Sequence, residues 1–398
     1  MKKISKSIAA FAVLASTAIG AGGIALSQAS ATSGTILVGS IMPLSGAYAD
    51  IGIAAGNSAE LAVQEINAAG GILGKKLVIK YADDGASATT SALLFKKYMS
   101  QGAVAILGSG DTASTTVALA DQYKFPDVGL IDDGGSAIYP NGPTKAPYPW
   151  AWSTSPNGYA VGESLGSYAA KNCANGLYVV HDNTYYGVGG LAGIQISYTK
   201  TLKGEDSLDE NWSSSQPATT VIAAEVQKVI ASGASCVDVW LTAQDQAVFA
   251  QQLYAAGQNG KITMLGNDVT GSDATFANAA GATVLKGLTV VSSFLKTEVT
   301  PPANLKAFVA KYTKKYGKAP SVWGEVQYDG VMILAEAIKK AGSTKPAAIA
   351  AQLNKITNHK GLTGILTFTK MQHTTINGPQ FQNVVLSDSA TNKWVATK

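Results

Sequence analysis

The sequence predicts an α/β protein built as two doubly wound parallel-sheet lobes. Three observations predict it. Apolar runs of strand length alternate with segments of helical spacing, the connections between them are short, and the alternation restarts midway along the chain. The 398 residues are 46% hydrophobic and 14% charged, enough apolar side chain for about two domain cores and too much for a disordered chain.

In the first half, 35–41 is a largely apolar strand. The segment 54–68 is helical, with Ala55, Ala59, Ala62, Val63 and Ile66 on one face. A strand over 76–81, a helix over 91–100, a short buried strand over 103–107, a helix over 113–123 and a strand over 128–131 follow. A stretch rich in Pro, Trp and Ser at 147–156 suits a passage between lobes. The pattern then restarts. Helices over 159–170, 189–202, 219–231 and 244–256 alternate with strands over 176–181, 207–212, 236–241 and 262–265. Three more helices are expected over 303–316, 325–341 and 346–353, the last opening on Pro346, whose fixed φ suits a first helical position. Strand-like pieces over 364–368 and 381–386 end the chain, and no short sequence repeat is present.

Residues 1–7 are basic, 8–26 are apolar and small, and Ala29-Ser30-Ala31 is a small-x-small site. That order is a cleaved export signal, so the mature chain is expected to begin at Thr32 and to lie in the periplasm. All 30 basic residues are Lys. Three of them fall in the first 31 residues, leaving 27 against 26 acids. Without Arg, and with a nearly neutral mature chain, nucleic-acid binding has no support.

Cys173 and Cys236 are the two cysteines, each at or just before an apolar strand. Parallel neighbours would bring those strand starts together, so one disulfide is expected. Two buried free thiols are the alternative.

Chemical motifs are few. Gly162-Glu163-Ser164-Leu165-Gly166 has the letters of a nucleophile elbow, the basis of a hydrolase reading. It follows what reads as a helix start rather than the strand an elbow needs. Gly187-Val188-Gly189-Gly190-Leu191-Ala192 fits the loose dinucleotide pattern, but six residues separate it from its strand, too many for the tight phosphate turn. His181, His359 and His373 are scattered and no C-x-x-C occurs, so neither a metal nor another cofactor is expected. The pairs Asp83-Asp84 and Asp132-Asp133 read as acids that cap turns.

Polar and aromatic residues gather after successive strands instead. They are 43–48, 108–115 and 132–136 in the first half, and Tyr185, Tyr186 and 266–268 in the second. Ligands of open parallel sheets bind beyond the strand carboxyl ends, and two facing sheets would enclose one between them. Hydroxyls, rings, backbone N–H groups and an acid suit a small zwitterion.

On these residues the chain resembles the periplasmic substrate-binding proteins of branched-chain amino acid ABC transporters, of the leucine/isoleucine/valine-binding type. The stretches that carry the resemblance are Ile41-Met42-Pro43-Leu44-Ser45-Gly46, 62–76 with Glu65-Ile66-Asn67-Ala68-Ala69-Gly70-Gly71-Ile72, Val180-His181-Asp182 with Tyr186-Gly187, and 312–320 followed by Tyr328-Asp329-Gly330-Val331. The resemblance implies a non-enzymatic, monomeric receptor for a small ligand, joined by three crossovers and served by a membrane permease. It places one lobe at 32–154 with 290–368 and the other at 155–289 with 369–398. By position it implies that Thr112 helps hold a ligand carboxylate, that Gly134 and Ser136 contact ligand, that Tyr186 closes from the second lobe, and that Asp268 faces a ligand ammonium. Tyr48 and Trp323 fall near positions that shape the side-chain pocket. Asp111, Asp132 and Asp133 depart from the family pattern and point to a more anionic pocket with a cationic or donor-rich ligand. A ligand-binding sensor for signalling or chemotaxis is the alternative that the same architecture serves.

Overall fold

The structure, a computed structural model, describes residues 34–46, 48–108, 110, 112–131, 137–142, 145–209, 218–272, 274–376, 381–388 and 393–396. The export-signal reading of 1–31 lies outside them.

The first sheet is formed by β1 (Thr35–Met42), β2 (Lys76–Asp83), β3 (Ile106–Leu107), β4 (Asp127–Gly129) and β5 (Ala151–Pro156). The second takes β6 (Leu177–Asp182), β7 (Gly204–Leu208), β8 (Cys236–Trp240), β9 (Thr263–Gly266) and β10 (Val290–Leu295). Late in the chain come a small hairpin of β11 (His359–Lys360) and β12 (Ile365–Leu366), then β13 (Thr374–Ile376), β14 (Phe381–Asp388) and β15 (Lys393–Ala396). The first sheet runs β2-β1-β3-β4-β5-β13 and the second β7-β6-β8-β9-β10-β14-β15. Within these two sheets the described pairs are parallel except those made by β14, which is antiparallel to both β10 and β15. Each lobe therefore has the order 2-1-3-4-5, which reverses direction between its first and third strands. Those switch points lie between β1 and β3 and between β6 and β8.

The chain passes between sheets after β5, after β10 and between β13 and β14. Two expected lobe boundaries differ from this layout. Val290–Leu295 is a strand of the second sheet, where the sequence reading had already returned to the first, and Thr374–Ile376 belongs to the first sheet. The reason is local. Val290-Val291-Ser292-Ser293 reads as half polar, yet both serines are fully buried and the Ser292 hydroxyl donates to Asn267 O at 2.6 Å. Four helices start three or more residues earlier than expected, among them Ala49–Ala68 by five residues and Ala88–Ser100 by three. Tyr185–Ser197 begins four residues early because the Thr184 hydroxyl caps it, accepting from Gly187 N. Val322–Ala341 begins three residues early.

Both lobes bury acids in their central strands. Asp127 opens β4 between Ile106 and Ala151 and is fully buried. Burial pushes its carboxyl up to about 7, outweighing the Thr116 hydroxyl and the Val128 N–H. Asp238, fully buried in β8, is pushed well above the usual carboxylate range for the same reason. A raised folded-state value means the native acid keeps a proton that the unfolded one has lost. This site therefore weakens the fold as pH rises from about 4 through 7. Asp127→Asn should gain on wild type by roughly 2–4 kcal/mol across that interval, read as the difference in unfolding free energy at pH 4 and pH 8. A difference that stays constant with pH would show that Asp127 is not the titrating group.

Candidate functional site

The crevice is built where strand carboxyl ends of both lobes converge. Met42 and Leu44 beyond β1, Leu130 beyond β4, and Trp323 and Val326 of helix Val322–Ala341 share one apolar cluster with Trp240, Tyr186 and Val269 of the second lobe. The loop after β1 is held by Asp83, whose carboxylate accepts from Leu44 N at 2.8 Å and Gly85 N at 2.9 Å. The Ser45 hydroxyl, with these N–H groups, keeps Asp83 below the usual carboxylate range. The loop then presses on helix Ala49–Ala68, and a Cβ on Gly52 would lie 2.0 Å from Pro43 O. Tyr48 is the N-cap residue of that helix. It is half-buried, and its carbonyl accepts from Ile51 N at 3.1 Å.

Thr112 occupies the N-cap position of helix Ala113–Tyr123 without a side-chain capping bond, and belongs to a buried triangle. Its hydroxyl donates to Asp84 Oδ2 at 2.9 Å, the Ser91 hydroxyl donates to the same oxygen at 2.6 Å, and the two hydroxyl oxygens are 2.6 Å apart. Asp84 Oδ1 accepts from Ala86 N at 3.1 Å. Asp83 and Asp84 thus serve loops and helix starts. Among the described residues no group of three or more His, Cys, Asp or Glu could hold a metal ion.

In the second lobe two helices, Gly158–Asn172 and Tyr185–Ser197, pack backbone to backbone. A Cβ on Gly162 would lie 2.1 Å from Gly190 O, and one on Gly193 2.2 Å from Tyr159 O. The elbow-like and dinucleotide-like letters are therefore the two sides of one helix contact. Ser164 lies inside a helix with no strand before it, as the sequence reading expected. The contact fixes Tyr186 at the start of the second helix. Its ring meets Trp240 edge-on with centroids 5.0 Å apart, and its hydroxyl donates to Asp268 Oδ1. Asp268 is 2% exposed and follows β9. Its loop is fixed by Asn267, which accepts from Gln246 Nε2 at 2.9 Å and from Val269 N at 3.2 Å. Asp182, at the end of β6, accepts from Thr184 N at 3.0 Å, and burial raises its carboxyl.

Of the residues read from the sequence, Tyr186 and Asp268 are in direct contact. Trp323, buried in the first turn of its helix, joins their cluster. Among the described residues its indole N–H has no hydrogen-bond partner, nor has the Glu325 Oε2 two residues on, whose carboxyl burial pushes well up. Thr112 stands apart, in the triangle of the first lobe. Asp111, Asp132, Asp133, Gly134 and Ser136 lie outside the described residues. Sequence reading missed Trp240, Ser91 and Gln246. Trp240 sits inside an apolar strand, where a ring reads as core, and Gln246 carries no motif. Asp84 was noticed only as half of an acidic pair.

The expected bridge is present. Cys173 and Cys236 are joined, with Cα atoms 5.6 Å apart. Cys236 is paired in register with Leu177, at the amino ends of β6 and β8.

Two doubly wound lobes whose strand ends meet in one apolar and aromatic cluster define a two-lobed binding-protein architecture. The chain belongs to the periplasmic binding protein family, whose model matches residues 35–390. It is 26% identical over 325 residues to Leu/Ile/Val-binding protein homolog 3 of Brucella melitensis, covering 81% of this chain and 84% of that one. The fold is shared with the branched-chain amino acid transporter substrate binding protein LivJ of Streptococcus pneumoniae, solved in complex with isoleucine. The TM-score is 0.73 at 21% identity, over 91% of this chain and 100% of that one. It is also shared with a solute binding protein of an ABC transporter from Rhodopseudomonas palustris, solved in complex with 3,4-dihydroxybenzoic acid. There the TM-score is 0.71 at 21% identity, over 88% and 92% of the two chains.

Proposed function

We propose that this protein is an extracytoplasmic solute receptor that closes its lobes over an amino acid or a related amine or amide and delivers it to an ABC transporter permease. The observation that supports the ligand class is Asp268, a buried carboxylate that accepts the Tyr186 hydroxyl where the two lobes meet, in a chain without a single Arg. A buried carboxylate is stabilised by a cation or by several donors, and a ligand ammonium supplies both. Family membership supports binding rather than catalysis, and the helical setting of Ser164 agrees with it. The proposed ligand contacts are Tyr48, Asp111, Thr112, Gly134, Ser136, Tyr186, Asp268 and Trp323. The proposed lobes follow the sheets, with 35–156 and 303–376 in one and 158–295 and 381–396 in the other. Export through the segment 1–31 would leave Thr32 as the first residue of a monomeric receptor.

The protein recovered from outside the cytoplasmic membrane should begin at Thr32. Its unfolding should then be followed against amino acids, amides, amines and aromatic acids. A ligand at a hundred times its Kd adds about 2.7 kcal/mol of apparent stability. Stabilisation by aromatic monocarboxylates alone would remove the amine reading. Ligand turned over into product would remove the receptor reading.

A further inference from the structure

We infer that the end of the first lobe farthest from the crevice is a docking surface for a layer of anionic lipid headgroups, on which the protein rests with its crevice turned away from the bilayer. The inference goes beyond the receptor reading and holds for any ligand the crevice takes.

The charge of the mature chain is unevenly spread. Residues 303–376 hold 11 of its 27 lysines and three of its 26 acids, leaving 16 lysines against 23 acids elsewhere. All 11 lysines are exposed, whereas Glu325 and Asp329 are buried.

Contacts gather many of these lysines at one end of the lobe. Lys311 of helix Ala303–Tyr316 holds Glu65 at 2.8 Å, and Lys340 of helix Val322–Ala341 holds Glu336 at 2.6 Å. His359 meets the other oxygen of Glu336 at 2.7 Å, and Lys360 beside it lines a groove with Lys311 and Asn304. Asn67 accepts from Leu77 N at 2.8 Å, which brings Lys75 and Lys76, where β2 begins, to the same end. The rise from Tyr48 to Glu65 along helix Ala49–Ala68 is about 25 Å, as is that from Trp323 to Lys340, so this end lies opposite the crevice. Glu65 and Glu336 are occupied by Lys311 and Lys340. Lys75, Lys76, Lys306, Lys339, Lys345 and Lys360 have no acid partner among the described residues.

The chemistry of this face selects its partner. Lysine is a hydrated point charge on a flexible stem, and without Arg there is no planar fork for one shaped anion. A spread of such charges fits a diffuse negative layer, to which each added lysine contributes about fivefold in binding. The start of the chain points the same way. Gly34 O accepts from Lys76 N at 3.3 Å, so the chain enters β1 at this end. On the export reading, cleavage after Ala31 leaves the Thr32 α-amino group two residues from Gly34 and adds one more cation. A chain exported through the bilayer is cut at its surface, so this end is the one left beside the headgroups.

Sedimentation of the mature protein with lipid vesicles tests this. It should pellet with phosphatidylcholine vesicles containing roughly a third phosphatidylglycerol at about 0.02 M salt, and be released at about 0.5 M. Pure phosphatidylcholine vesicles should leave it in solution. Lys306→Gln, Lys339→Gln and Lys360→Gln together should weaken binding about a hundredfold. Lys171→Gln, Lys261→Gln and Lys286→Gln, exposed lysines of the second lobe, remove the same charge and should change it by less than about threefold. No pelleting at low salt, equal pelleting with neutral vesicles, or equal weakening by the two triple variants overturns the inference. Each of those results leaves the receptor reading standing, because that reading is tested by ligand binding at the other end of the lobe.

Discussion

Asp268→Asn should weaken binding of an amine ligand by about 2–5 kcal/mol, mostly through faster release. The size follows from burial. Asp268 is 2% exposed, and its loop is locked by Asn267, Gln246 and the Ser292 hydroxyl, so the carboxylate cannot turn to water when its partner charge is lost. Asn keeps the shape and accepts the Tyr186 hydroxyl, so the loss isolates charge rather than packing. Association depends on encounter with the open crevice and should change by less than tenfold, whereas dissociation should quicken by orders of magnitude in stopped-flow measurements. An unchanged affinity would mean that the ligand ammonium, if it has one, lies elsewhere. The receptor reading would survive.

Breaking the Cys173–Cys236 bridge should cost about as much, in stability rather than in binding. The bridge closes a loop of 63 residues. The chain-entropy relation assigns such a loop about 4 kcal/mol at 25 °C. Both cysteines are at most 2% exposed, and Ala at both positions leaves small cavities that add to the loss. The bridge ties the amino ends of β6 and β8, whereas Tyr186, Trp240 and Asp268 stand at or beyond the carboxyl ends of their strands. The doubly substituted protein should therefore melt well below wild type and bind ligand with the same affinity at low temperature. Equal melting, or an affinity that falls in parallel, would contradict this division of labour.

Much of the architecture was legible because the strands of a covered parallel sheet are mostly apolar, even with a buried acid such as Asp238 among them. Leu177–Asp182 and Cys236–Trp240 announced themselves in this way, and their adjacency placed the two cysteines together. The misreadings share a physical origin, which is polar residues buried in the folded chain. Fully buried Ser292 and Ser293 disguised β10, and buried Thr374, which accepts from Asn157 Nδ2, disguised a strand that pairs with β5. The candidate site was readable where a residue lies just beyond a strand, as Tyr186 does four residues past β6 and Asp268 two past β9. It was not readable where a side chain's hydrogen-bond partner lies far along the chain. Ser91 and Thr112 are 21 positions apart and Asp84 and Thr112 are 28, and no spacing rule links loops that only the switch point brings together. The glycine letters misled in the opposite direction, because a backbone contact between two helices uses the same residue as a phosphate turn.

That helix contact bears on how such a crevice can change its diet. Gly162, Gly166, Gly190 and Gly193 leave no room for even a methyl group, and Gly190 also lies against the Trp240 ring. Backbone rearrangement is closed to descendants of this chain in the second lobe, since any larger residue there displaces Tyr186 and Trp240 together. Exposed neighbours such as Tyr185 and Val188 bear no such restraint. New specificities are therefore open to this scaffold by swapping side chains that line the crevice, one residue at a time, on a frame that stays fixed.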